Sequence, residues 1–353
     1  MSLLDETIGK IVPADPAAAQ RAQRRWDSIA KPLHSLGLLE DAVVRIAAMT
    51  GSPDVDLSRR AIVAMCADHG VVAEGVTQTG QEVTAIVTEN MSRGDTSVCC
   101  MARAAGAEVV PVDIGVARPV KGEHILQKNL MRGTRNMTQG PAMDRDICQK
   151  AIETGIEVAR DLCRGGVKLL GTGEMGIGNT TASSAVVSVL LGVDPETVTG
   201  RGAGLSTEGL HRKVDAIRRA IAVNEPDPAD PVDVLAKVGG LDLAGLAGVF
   251  LGGALCRTPV LVDGFISAAA ALCAVRLCPA AGDYLLASHV SAEPAGELVL
   301  NALGLTPFLR AHMCLGEGTG TAAVMPLLDM ALSVYREMAT FDEIEVEAYQ
   351  PLT

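Results

Sequence analysis

Aromatic side chains are scarce in this chain: one Trp, three Tyr and four Phe among 353 residues. Proteins that hold single-stranded nucleic acid stack its bases on aromatic rings, and that platform is missing. Positive charge is also in short supply. Thirty Lys and Arg stand against 42 Asp and Glu, a formal net charge of −12. A nucleic-acid duplex would meet no basic footprint, so no nucleic-acid partner is expected and the acidic balance is read as a solubility device. No CxxC pair occurs among the nine cysteines, and no Cys/His cluster has zinc spacing, so no metal site is expected. Cys66, Cys273 and Cys278 lie inside apolar runs and read as buried, reduced thiols of a cytoplasmic protein. No uninterrupted apolar run reaches the roughly 18 residues of a membrane span, so no membrane partner is expected. The most apolar stretch, 241–281, is broken by Arg257, Asp263 and several Gly and Pro residues. It reads as buried helix, strand, buried helix. The opening MSLLDETIGK carries acids and lacks the basic-then-apolar order of a secretory leader.

What is present is a large supply of small aliphatic residues. Hydrophobic residues make up 48% of the chain, so a sizeable core of Ala, Val, Leu and Gly can form, with helices packed closely on a sheet. The length suits one large domain and one small one. Residues 1–55 look helical. Pro16–Trp26 is rich in helix formers behind an Asp15 cap, and Leu36–Met49 is apolar-periodic and ends at Thr50-Gly51-Ser52-Pro53. Residues 323–339 are helix-like too. The expectation is a small helical domain from 1–55 and 323–353, and a large α/β nucleotide-binding domain from 56–322. Within the latter, short apolar runs at 61–66, 108–113, 167–170, 259–263 and 284–287 alternate with helical stretches. Such alternation predicts a Rossmann-like, mainly parallel sheet with helices on both faces.

The runs end in chemistry-bearing residues: Asp68-His69-Gly70, Asp113-Ile114-Gly115, Gly171-Thr172-Gly173-Glu174, Asp263-Gly264 and Ser288-His289. Asp and Gly also stop strands for ordinary reasons. Five such ends together predict a ligand site along the carboxyl edge, where open α/β sheets bind ligands.

Three Gly-rich segments stand out. Gly171–Thr181 matches GxGxxG, with Asp194 near the place of an acidic ribose partner, so a dinucleotide-dependent oxidoreductase is the alternative reading. Against it, Glu174 inside the segment would oppose a pyrophosphate, and Asp194 follows a helix-like run. The tail Asn179-Thr180-Thr181 suits a single phosphate or a ribose at a helix start. The second segment, Thr199–Gly204, precedes the basic run from His211 to Arg219, which is either an anion site or a solvated helix face. The third is Leu315-Gly316-Glu317-Gly318-Thr319-Gly320. A carboxylate among close-approach glycines suits a proton acceptor, with its pKa raised by an apolar neighbour such as Leu315. The competing reading is a cap for a helix starting near Thr321.

Eight segments in order resemble one family: ADHG at 67–70, QEVTA at 81–85, GTGEMGIGNTT at 171–181, KVDAIRRAI at 213–221, KVGGLDLAG at 237–245, PVLVDGF at 259–265, SHVSAE at 288–293 and LGEGTG at 315–320. They are similar to the nicotinate-nucleotide–dimethylbenzimidazole phosphoribosyltransferases, almost from end to end. The resemblance implies that the phosphoribosyl group of nicotinate mononucleotide passes to an aromatic base with inversion, giving α-ribazole phosphate and nicotinate without metal or redox cofactor. It implies Glu317 as general base. Glu174, Met175, Leu315, Thr79 and Val87 would lie around the acceptor base. Gly176, Ile177, Asn179, Thr180, Gly202, Lys213, Ser291, Gly316 and Gly318 would lie around the mononucleotide. Asp263 would bind ribose or orient Lys213. The family's usual assembly implies a homodimer. Thr79-Gly80 and Val87 depart from the family's Ser-Pro pair and Gln, where the base is chosen. Lys31-Pro-Leu-His-Ser-Leu-Gly37 carries His34 where Gly is common. A nucleotide-binding protein without turnover is a third reading, opposed by the intact Glu174 and Glu317.

Overall fold

The computed structural model describes residues 2–349. One sheet runs through it, built from β1 (Arg60–Ala67), β2 (Ala107–Gly115), β3 (Leu126–Gln127), β4 (Leu169–Met175), β5 (Val260–Val262) and β6 (Leu285–Ala287). The spatial order is β3-β2-β1-β4-β5-β6, and every neighbouring pair is parallel. Strand order reverses between β1 and β4, which makes their carboxyl ends the topological switch point. Seven of the eight β1 residues are buried, as a strand covered on both faces requires. Ile62 abuts Gly318 ahead of the helix Thr319–Glu337, while Met65 abuts Gly245 of the helix Leu241–Leu255. These residues point to opposite faces, so helices cover both sides.

The near-absence of aromatics has a direct counterpart in packing. The helix Arg145–Arg164 lies against Leu241–Leu255 through glycines: Gly155 faces the Gly245 carbonyl, Gly248 that of Ile152, and Gly252 that of Ile156. A Cβ at any of them would overlap backbone. Close backbone approach thus replaces large side chains as the filler of the interior. The 241–281 stretch forms the helix Leu241–Leu255, β5 and the helix Phe265–Leu277, as its pattern predicted.

The sequence pattern missed β3, a two-residue edge strand with exposed side chains. It also stopped β4 at Leu170, whereas the strand continues through Gly171, Gly173 and Glu174 to Met175. Glycine is a poor strand former, but here the ladder to β1 continues, with Gly171 opposite Ile62 and Gly173 opposite Ala64. The two chain ends touch: the Trp26 and Tyr335 rings lie 5.1 Å apart, and the Ala30 amide donates to the Ala339 carbonyl at 2.9 Å. We propose the division at 55 and 323 on that contact; positions 350–353 lie outside the described residues. The helix Thr319–Glu337 begins four residues before 323, beside β4, so it serves both parts.

Candidate active site

A cavity of about 340 Å³ opens at the carboxyl edge of the sheet. Its wall includes Thr79, Val87, Glu174, Met175, Gly176, Ile177, Asn179, Thr180, Gly202, Lys213, Ser291, Leu315, Gly316 and Glu317. These come from the ends of β4 and β6, from loops around 79, 202 and 316, and from three helices. Asp263 and Gly318, also expected at the site, lie behind the wall and hold it in place.

The segment LGEGTG is a tight turn pressed onto β4. Gly316, Glu317 and Gly318 all have left-handed backbone, with φ of 81°, 61° and 97°. Glycine adopts this freely; glutamate does so at a cost of about 1–2 kcal/mol. Two devices hold the strained residue. Gly173 of β4 lies so close beneath that a Cβ there would overlap the Glu317 and Gly318 backbone. The buried Asp263 carboxylate accepts from the amides of Gly318 (3.1 Å), Gly320 (2.7 Å) and Thr321 (3.2 Å). The helix starting at Thr319 is therefore capped by Asp263 and not by Glu317, which lines the cavity. Asp263 does not orient Lys213, the second of its two expected roles. Its oxygens go to the turn, and Lys213 Nζ donates instead to Thr180 Oγ1 (2.7 Å) and the Gly200 carbonyl (3.1 Å).

Glu317 is half-buried, and its Oε2 is buried without a hydrogen-bond partner. Burial raises its pKa, opposed by the Val98 backbone amide and assisted by Asp263. Leu315 does not supply this apolar setting, because it is 57% exposed at the cavity rim. The protein beneath the turn supplies it. Glu174, in β4 and almost fully buried, lies with Oε1 against Gly316. Its pKa is pushed up to about 8, first by burial and then by the Asp242 charge, with the Asn179 amide opposing.

Adjacent residues at the start of the helix Asn179–Leu191 serve two different clusters. Asn179 Nδ2 donates to Glu174 Oε2, while Thr180 Oγ1 accepts from Lys213 Nζ. Lys213 is fully buried, and desolvation lowers its pKa to about 8, with Glu293 opposing. Of the basic run 211–219, Lys213 is the cation turned into the cavity. Arg218 pairs with Asp194 and Glu196, and Arg219 with Glu74 and Asp215. Lys213, Thr180 and the first-turn amides form a ready anion cradle.

Several wall residues escaped the sequence reading. Val76, Val83 and Phe265 add apolar surface; Gln78, Arg201, His289 and Glu293 add polar groups. His289 belongs to the Ser288-His289 strand end and Glu293 closes the SHVSAE segment, so membership of those motifs was the available signal. Val76 and Gln78 precede the QEVTA segment and belong to no motif, whereas Val83 lies within it. The GxGxxG reading fails on geometry. Gly171 and Gly173 are strand residues, not a pyrophosphate turn, and Asp194 caps the short helix Pro195–Val198. Among the described residues no cluster of His, Cys, Asp and Glu fits a metal ion, and no helix is long and apolar enough to cross a membrane.

A doubly wound parallel sheet with a cation cradle and paired carboxyls at its switch point is the architecture of a nucleotide-handling α/β enzyme. The chain belongs to the phosphoribosyltransferase family whose model matches residues 11–346. It is 48% identical over 349 residues to the nicotinate-nucleotide–dimethylbenzimidazole phosphoribosyltransferase of Acetivibrio thermocellus, covering 99% of both chains. It is 47% identical to the enzyme of that name from an Escherichia coli strain, covering 96% of this chain and 94% of that protein. The crystal structure of CobT from Thermus thermophilus superposes with a TM-score of 0.90 at 42% identity, covering 95% of this chain and all of that one.

Proposed function

We propose that this enzyme transfers the 5-phosphoribosyl group of nicotinate mononucleotide to dimethylbenzimidazole or a close aromatic relative, releasing nicotinate and α-ribazole phosphate. The names of the full-length relatives support the reaction. The observation that supports the mechanism is that Glu317 lines the cavity, is not needed as the helix cap because Asp263 takes that place, and has a buried carboxyl oxygen without a hydrogen-bond partner.

In this reading the phosphate sits on Lys213, Thr180 and the amides of the 176–180 segment. The base lies against Val83, Val87, Met175 and Leu315. One ring nitrogen of the base attacks the anomeric carbon from the face opposite nicotinate. The C–N bond to the pyridine breaks, its electron pair neutralises the pyridinium, and configuration inverts. The other ring nitrogen loses its proton to Glu317. Acidic groups beside the sugar stabilise the cationic transition state, and holding both reactants in one cavity removes most of the entropic barrier. The unpaired thiols at all nine cysteines fit a reducing compartment, so we place the enzyme in the cytoplasm. A homodimer is the assembly that the family resemblance supports.

The test is nicotinate release from nicotinate mononucleotide and dimethylbenzimidazole. Glu317→Gln keeps the shape of the turn and should lower kcat by ~10²–10⁴-fold. Parent protein that releases no nicotinate, or a variant within a few-fold of parent, overturns the assignment.

A further inference from the structure

Behind Glu174 lies a buried chain of polar groups that the reaction scheme does not use. Asn179 Nδ2 has two hydrogens, and two carboxylates take them: Glu174 Oε2, and Asp242 Oδ2 at 3.2 Å. Turning the amide over would set its carbonyl against both acids, so its orientation is fixed. The other oxygen of Asp242, Oδ1, accepts from the Leu243 amide at 2.9 Å and lies 3.0 Å from His69 Nε2. All four side chains are at most 6% exposed. Two glycines make room for the chain: a Cβ at Gly240 would strike the His69 ring and Asp242, and one at Gly176 would come within 3.0 Å of Asp242 Oδ2. His69 lies within the ADHG segment and Asp242 ends the GGLD run. Neither is part of the cavity wall.

We propose that Asp242, held against His69 in the buried interior, is a positioning residue that fixes the Glu174 carboxyl through the Asn179 amide. It acts by aim and by charge. A carboxyl bonded on one oxygen and packed against Gly316 on the other holds one direction toward the base. The Asp242 charge disfavours ionisation of Glu174, while the Asn179 amide favours it. The other groups facing Glu174 are Asp263 beyond β5, Glu317 in the turn, and Cys66 in β1. This inference rests on the reading of Glu174 as a wall of the base site.

The two influences have opposite signs, which supplies the test. In protein labelled with carboxyl-13C glutamate, the Glu174 resonance is identified by its loss in Glu174→Gln, and its titration midpoint is followed by NMR. Asp242→Asn removes the neighbouring charge and should lower the midpoint by about one unit or more. Asn179→Ala removes the donor and should raise it. Nicotinate release should fall at least about tenfold in kcat for Asp242→Asn, with KM for nicotinate mononucleotide within about threefold of parent. A merely structural role would reduce stability without moving the midpoint in opposite directions. Unmoved midpoints, or unchanged turnover in Asp242→Asn, overturn the proposal. Should Asp242→Asn fail to fold, Asn179→Ala decides alone by whether its midpoint rises. Moved midpoints in a parent without turnover uphold the positioning and sink the transferase reading.

Discussion

Gly173→Ala adds one methyl group at the point where β4 supports the Glu317 turn. The new Cβ would lie 2.7 Å from the Gly318 nitrogen, with the Glu317 carbonyl nearer still. Ordinary contact begins near 3.5 Å, so the overlap is about 0.8 Å or more. β4 cannot retreat, because it is paired to β1 on one side and β5 on the other. The turn must move, against the three amide bonds that tie it to Asp263. A displacement of ~1 Å at Glu317 should lower kcat by about 10²-fold. The overpacking should cost about 1–3 kcal/mol of stability. The proposed mononucleotide cradle is built on Lys213 and Thr180, off this turn, so KM for nicotinate mononucleotide should stay within a few-fold. Steady-state nicotinate release resolves the two constants, and thermal unfolding confirms that the variant folds. Gly171→Ala is the control: its Cβ meets the Thr321 side chain at 2.9 Å, which can give way more readily than backbone, so the loss should be smaller. Folded Gly173→Ala with kcat within threefold of parent would refute the claim that β4 seats the proposed catalytic turn.

Lys213→Met should raise KM for nicotinate mononucleotide by about 10–100-fold, since a hydrogen bond from a cation to phosphate contributes roughly 1.5–3 kcal/mol. Without ligand the same variant should unfold at a higher temperature than parent at neutral pH. The Lys213 pKa falls on folding from 10.5 to about 8, so the unfolded chain holds more protons between those values. Parent stability from this group therefore rises across pH 8 to 10.5 and is lowest below 8. Glu174 has the opposite sense. Its pKa rises on folding from 4.5 to about 8, the folded state holds the extra proton, and stability falls as pH climbs through that window. Glu174→Gln should accordingly gain more in unfolding midpoint at pH 8.5 than at pH 5, measured by calorimetry on the unliganded protein.

Alternation of apolar runs with helical stretches was enough to read the α/β class, because it follows from periodicity alone. The length of β4 was not legible. Local propensity argues against a strand of GTGEM, and the reason for glycine there is a turn about 145 residues later in the chain. For the same reason Glu174 looked like a loop residue. The competition between base and cap at Glu317 could not be decided from LGEGTG. The actual cap, Asp263, lies 54 positions away and was read as a ligand to sugar or lysine. Lys213 was separable from Arg218 and Arg219 only by helix phase, since one face of the helix Thr207–Asn224 turns inward and the other pairs with surface acids.

β4 carries Glu174 in its own backbone and, through Gly173, the seat of Glu317. The separation of the two carboxyls is thus inherited from one strand in the middle of the sheet, whereas Val76, Val83 and Val87 arrive from an unrelated stretch of chain. Chemistry and taste are written in different sentences of the sequence. On the proposed function, a change in the 76–87 segment can alter which base is accepted without disturbing the registry of the two carboxyls, which is the arrangement an enzyme needs if its acceptor is to drift while its reaction stays the same.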